Sequence, residues 1–120
     1  MKMTLRTAAL LVAMAAPALM VASGAQAHAH LVKSNPAENA AIAAPNTIHL
    51  EFSEKLEPKF SGVTLMKADG AAVAVTSKAA GAAIDGALDA PLAPGGYMVM
   101  WHVVSADGHK MTGQYNFTVR

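Results

Sequence analysis

The sequence has no cysteine, which excludes disulfides, thiolate metal sites and cysteine nucleophiles together. Aromatic residues make up only 5% of the chain and charged residues 14%. There is no basic run with interleaved aromatics, so nothing in the chain is built to hold nucleic acid. A small domain without disulfides needs a good core, a bound metal or an oligomeric partner to stay folded. Any metal site in this chain must therefore use histidine, carboxylate, methionine or backbone groups.

What is present begins with a distinctive amino-terminal segment. Lys2 and Arg6 precede an apolar run from Thr7 to Val21, which ends in Ala25-Gln26-Ala27. A cationic start, a short apolar centre and an Ala-x-Ala end predict a secretory signal cleaved after Ala27. The run is shorter than the roughly 20 apolar residues that span a bilayer, and it is rich in alanine. Residues 1–27 are thus expected to leave and residues 28–120 to form one exported domain, periplasmic and with no membrane insertion of its own. The exported part carries seven cations against eight acids, a formal charge of −1. The basic character of the whole chain belongs to its leader.

Residues 28–120 read as short strands separated by turn residues. Thr47 to Phe52 alternates strictly, with Ile48, Leu50 and Phe52 on one face. Val63 to Lys67 is followed by the hairpin signal Asp69-Gly70 and a weaker strand, Ala72 to Thr76. Ile84 to Leu88, Tyr97 to Val104 and Gln114 to Val119 complete the series, with one further strand after His28. The alanine-rich stretches Ala37 to Ala44 and Lys78 to Ala87 are interrupted by Pro or Gly and read as loops or single turns. About seven strands at this spacing predict an all-β fold, a single antiparallel Greek-key β-sandwich, immunoglobulin-like or cupredoxin-like.

Two segments carry metal-binding chemistry. After cleavage the chain would begin His28-Ala29-His30. A terminal histidine offers one ion both its α-amine and its imidazole, and the amine loses its proton readily near neutral pH. The other segment is Trp101 to Lys110, in which strand alternation ends near Val104 and gives way to turn residues. Asp107 and His109, separated by Gly108, can converge on one ion there. Each segment has a plain alternative: a histidine that merely follows the cleavage site, and an ordinary Asx-turn with a solvated histidine.

In combination the segments are more specific. His28-Ala29-His30-Leu31, Pro36-Ala37, Phe52-Ser53-Glu54, and Trp-x-Val-x-Ser-x-Asp-x-His over 101–109 with Gly113 resemble the CopC family of periplasmic copper-resistance proteins. The resemblance runs the length of residues 28–120. It implies a seven-stranded sandwich that binds one Cu(II) per chain through the amine and imidazole of His28, Asp107 and His109. Glu54 corresponds to a family acid close to the copper, and a CopD-type membrane protein is the implied partner. Three nitrogens and one oxygen suit a tetragonal Cu(II) ion, which heads the affinity order for such ligands.

Some members of that family also hold Cu(I) in a methionine-rich loop after the Phe-Ser-Glu strand. Here that loop, Lys55 to Ser61, contains no methionine. Met98, Met100 and His102 share one strand face and could imitate such a site, but methionines in that pattern are more often packing. Met66 and Met111 stand apart in the sequence. His49 falls on the outer face of its strand. His30 is an auxiliary ligand or a rival one, since an amine with histidine in third position can bind Cu(II) through deprotonated amides.

Two other functions stay open on sequence alone. A copper-brace oxidative enzyme would also use a terminal histidine and a second histidine, but it needs an open copper position and a substrate surface. A structural sandwich with incidental histidines is the other, because such folds host many functions.

Overall fold

The computed structural model describes residues 29–120; the expected leader, 1–27, and His28 lie outside the described residues. Among the described residues, nine strands form two facing sheets. They are β1 (Leu31–Asn35), β2 (Ala41–Ile42), β3 (Thr47–Phe52), β4 (Gly62–Lys67), β5 (Ala72–Val73), β6 (Val75–Ala80), β7 (Ala83–Leu88), β8 (Gly95–Val104) and β9 (Lys110–Val119). One sheet has the order β1-β3-β7-β6 and the other β2-β9-β8-β4-β5. The chain crosses between them after β1, β2, β3, β5 and β7, which gives the expected crossed, sandwich-type topology. Among the described residues no helix is long and apolar enough to cross a membrane.

Alternation builds the core as expected. Ile48, Leu50 and Phe52 of β3 face Val63 and Leu65 of β4, Tyr97, Val99 and Val103 of β8, and Tyr115, Phe117 and Val119 of β9, and all are buried. Each such side chain contributes roughly 1.5–3 kcal/mol by leaving water. That is enough to fix which face of each strand points inward, since a one-residue slip would expose the whole set.

Three local expectations need correction. The strand expected over Ala72 to Thr76 is two strands in different sheets. β5 pairs with β4 only at Val73 and Ala72, and the chain then passes to β6 in the opposite sheet. The stretch Lys78 to Ala87, expected as loops or single turns, belongs to the β6–β7 hairpin, of which the strand expected over Ile84 to Leu88 is present as β7 and β6 is the addition. Its turn opens with Gly81 at φ +60°, a conformation glycine adopts without the Cβ penalty. Alanine gave no periodic signal, but Ile84 opposite Ala79 supplies the buried inner face. Within Ala37 to Ala44 a two-residue strand, β2, pairs in parallel with the end of β9, so the sandwich is not wholly antiparallel.

The longest hairpin, β8–β9, pairs ten residues from Gly95↔Val119 to Val104↔Lys110 without a slip. Trp101 lies opposite Gly113, and the indole occupies the space a side chain at 113 would need. A Cβ built on Gly113 would stand 2.1 Å from the ring. The half-buried indole also meets Phe52 of the other sheet edge-on, with centroids 6.2 Å apart, and Tyr115 at 6.1 Å. Gly113→Ala must therefore push a large ring that is held on two other sides. It is expected to cost about 1–3 kcal/mol, the range for overpacking. At ~4–8 °C per kcal/mol for a domain of this size, the loss should be plain in thermal denaturation followed by tryptophan fluorescence. An unchanged or raised Tm would refute this packing account.

On the outer face of the first sheet, His49 is half-buried between two carboxylates, as its alternation placed it. Its Nδ1 lies 2.5 Å from Asp85 Oδ1 and its Nε2 3.0 Å from Glu51 Oε1. These contacts, that of Asp85 first, raise the His49 pKa above its ordinary 6.5. The imidazolium is favoured in the folded state. Its stabilisation is thus fully present below about pH 6.5 and is lost as pH rises through the higher folded value. An NMR titration should place the His49 midpoint above 6.5, and a midpoint at or below 6.5 would contradict the arrangement.

Candidate metal centre

The β8–β9 hairpin ends in a five-residue turn, Ser105 to His109, that carries two of the expected ligands. Backbone bonds close it: Ser105 N–H donates to His109 O at 2.9 Å and Gly108 N–H to Ser105 O at 2.8 Å. Gly108 has φ +91°, a left-handed conformation in which most side chains are strained. Glycine between Asp107 and His109 thus lets the chain reverse so that both side chains lie on one side.

They are in contact. Asp107 Oδ2 lies 2.9 Å from His109 Nδ1. The contact is an ion pair or hydrogen bond between ring and carboxylate, and it brings the two expected ligands together at the hairpin tip. The other carboxylate oxygen, Oδ1, accepts a short hydrogen bond from Ser105 Oγ and a longer one, 3.4 Å, from His109 N–H. Ser105 is fully buried, so its hydroxyl is a fixed donor. These contacts, that of Ser105 first and then the His109 ring, hold the Asp107 carboxyl below its usual range and keep it anionic.

The loop after β3 links this turn to the start of the described chain. Ser53 holds that start twice: its Oγ accepts from His30 N–H at 2.8 Å, and its N–H donates to His30 O at 2.8 Å. Two residues on, Lys55 O accepts from Ala106 N–H at 3.0 Å, inside the metal turn. Leu56 then bridges to Ser105, and Glu57 N–H donates to Val104 O at 2.7 Å. Ala29 is buried in the core, which anchors the backbone immediately beside position 28. Glu54, half-buried, sits between the two anchor points of this loop.

Of the sequence-predicted residues, the structure brings Asp107 and His109 together, with Glu54 on the loop that joins them to the amino-terminal segment. His30 is exposed and its amide is bonded to Ser53; His28 is outside the described residues. Among the described residues no group of three or more histidines and acids could hold a metal ion. His49 is no exception, since Asp85 and Glu51 occupy opposite nitrogens of its ring. The sequence reading missed Ser105 as the donor to Asp107 and Ser53 as the anchor of the amino-terminal segment. Both belong to motifs that carry the family resemblance, and a serine two residues before an aspartate was the available signal for the former.

Met98, Met100 and His102 are not core packing: all three face outward from β8, and His102 is exposed. The His102 ring is turned onto its partner in β4, where a Cβ on Gly62 would meet it at 3.0 Å.

Comparison with known proteins agrees with this arrangement. The CopC domain family model matches residues 31–120. Copper resistance protein C of Xanthomonas campestris pv. juglandis is 42% identical over 124 residues, covering 96% of this chain and 97% of its own. Among solved structures, PcoC, a methionine-rich copper resistance protein from Escherichia coli, superposes with a TM-score of 0.72 at 38% identity, over 78% of this chain and 99% of that one. CopC from Methylosinus trichosporium OB3b gives 0.72 at 31% identity, over 77% and 93%. Two of these relatives are named for copper resistance, and none is named for an enzymatic activity. On this sequence match and this fold, the chain belongs to the CopC domain family of copper resistance proteins.

Proposed function

We propose that this protein is a periplasmic Cu(II) carrier whose site is completed only when the leader is removed after Ala27. The amine and imidazole of the new terminal residue, His28, join Asp107 and His109 around one ion. The observation that carries this reading is the loop from Ser53 to Lys55. One end of it bonds the backbone at His30 and the other bonds the turn at Ala106, which supports a site shared by the amino-terminal segment and the turn.

The chemistry of the donors supports copper(II). Asp107 is held anionic, so its carboxylate is ready to bind without giving up a proton. Three nitrogens and a carboxylate oxygen favour Cu(II) over harder divalent ions. Glu54 adds negative charge beside the site. The rival chelate through the Ala29 and His30 amides would have to break the His30–Ser53 bond and pull Ala29 out of the core. We therefore assign His30 no direct role as a ligand. With four protein donors on the ion, the site is suited to holding and passing on copper. The recipient, or the sink, is a CopD-type membrane protein or simple sequestration.

A free amine at residue 28 is the demanding part of this proposal. Protein processed to His28 should bind one Cu(II) at least a hundredfold more tightly than the same protein with one alanine added before His28. The comparison is a competition titration against a Cu(II) chelator. Equal affinity for the two forms would overturn the site.

A further inference from the structure

We propose that the groove between the Pro58–Phe60 turn and the base of the β8–β9 hairpin is a docking site for the copper recipient. Its occupant is a short acidic peptide segment of that protein, anchored by an apolar side chain. The role in copper transfer rests on the Cu(II) reading; the groove itself does not. Pro58–Phe60 is a single 3₁₀ turn with no buried residue, yet it is fixed at both ends. Glu57 N–H donates to Val104 O at 2.7 Å before it, and Val104 N–H donates to Ser61 Oγ at 3.0 Å after it. Pinned in this way to one residue of β8, the turn holds Phe60 62% exposed. A groove of about 510 Å³ opens beside it, with Val104 and Met111 as its other apolar walls. A lone exposed phenylalanine needs no explanation, but one that walls a preformed groove of binding-site size does.

The lining sets the sign of the occupant. Lys110 is its one fixed charge, His102 and Thr112 are its other polar side chains, and no carboxylate lines it. Lys59, next to Phe60, is exposed, and among the described residues neither lysine has an ion-pair partner. An apolar groove with an unpaired ammonium at its edge is complementary to an apolar side chain flanked by carboxylates. An anionic membrane surface is a poorer match. Around this end Lys55, Lys59 and Lys110 are balanced by Glu54, Glu57 and Asp107, which leaves no net positive field to face a bilayer. Position adds a separate reason. Val104 and Lys110 are the last pair of the hairpin ladder, and the turn that follows carries Asp107 and His109. A segment seated in the groove lies at the foot of the proposed copper ligands, where a recipient has to come.

The test uses the exported protein without copper and two blocked hexapeptides, Glu-Glu-Leu-Phe-Glu-Glu and Lys-Lys-Leu-Phe-Lys-Lys, in NMR titrations. The acidic peptide should shift the signals of Phe60, Val104, Met111 and Thr112, and the basic one should bind about tenfold more weakly or not at all. Lys110→Gln and Phe60→Ser should each weaken the acidic peptide about fivefold or more. Lys67→Gln, at the far end of β4, should leave it unchanged. No shifts, shifts elsewhere, equal binding of both peptides, or full binding by the Lys110 and Phe60 variants would overturn the proposal. So would phosphatidylglycerol vesicles that bind through Phe60 and Lys110 while the acidic peptide does not. A failure of the Cu(II) site would show in the Cu(II) competition titration alone, since the peptide titrations contain no copper.

Discussion

The indole of Trp101 can lie against β9 only because residue 113 has no side chain. Much of the molecule's organisation depends on that one close approach. It locks β8 to β9 in a ten-residue register and reaches across to Phe52, the last residue of β3, in the other sheet. Phe52 is followed at once by Ser53, Glu54 and Lys55, the segment that touches both the amino-terminal residues and the metal turn. The sandwich core therefore supports both the amino-terminal residues and the hairpin turn, a chain start and a hairpin tip being the parts of a fold most prone to fray.

Ser105 shows how the same hairpin tunes its own chemistry. It is the first residue of the turn and is fully buried, yet its hydroxyl is directed at the exposed carboxylate of Asp107. A buried donor that cannot turn to solvent keeps that carboxylate charged and oriented before any metal arrives. The contact between Asp107 and His109 then holds the two side chains together at the tip of the hairpin.

Much of this was legible in the sequence, for identifiable reasons. The strand Thr47–Phe52 announced itself by strict alternation, and the turn Asp107-Gly108-His109 by its glycine. The family resemblance, now supported by the match over residues 31–120, rested on motifs that are themselves packing contacts, Trp101 with Gly113 and Phe52. What escaped notice was non-local or lacked contrast. The β6–β7 hairpin is made largely of alanine, threonine and serine, and only Ile84 of β7 gives it a deep core contact. The split between β5 and β6 is decided by which sheet each joins, and no local propensity encodes that. Met66 stood apart in the sequence because its neighbours, Met98 and Met100, are more than thirty residues away along the chain and are brought beside it by register alone.

The central claim is that copper(II) is held jointly by the processed terminus and the β8–β9 turn. The most direct measurement is the EPR spectrum of one Cu(II) equivalent on protein processed to His28, recorded beside a His109→Ala variant. Nitrogen hyperfine couplings that change in the variant, with loss of one imidazole from the ligand set, are the predicted result. An identical four-nitrogen spectrum in both proteins would mean that the terminus and His30 hold the ion alone, and would contradict the account.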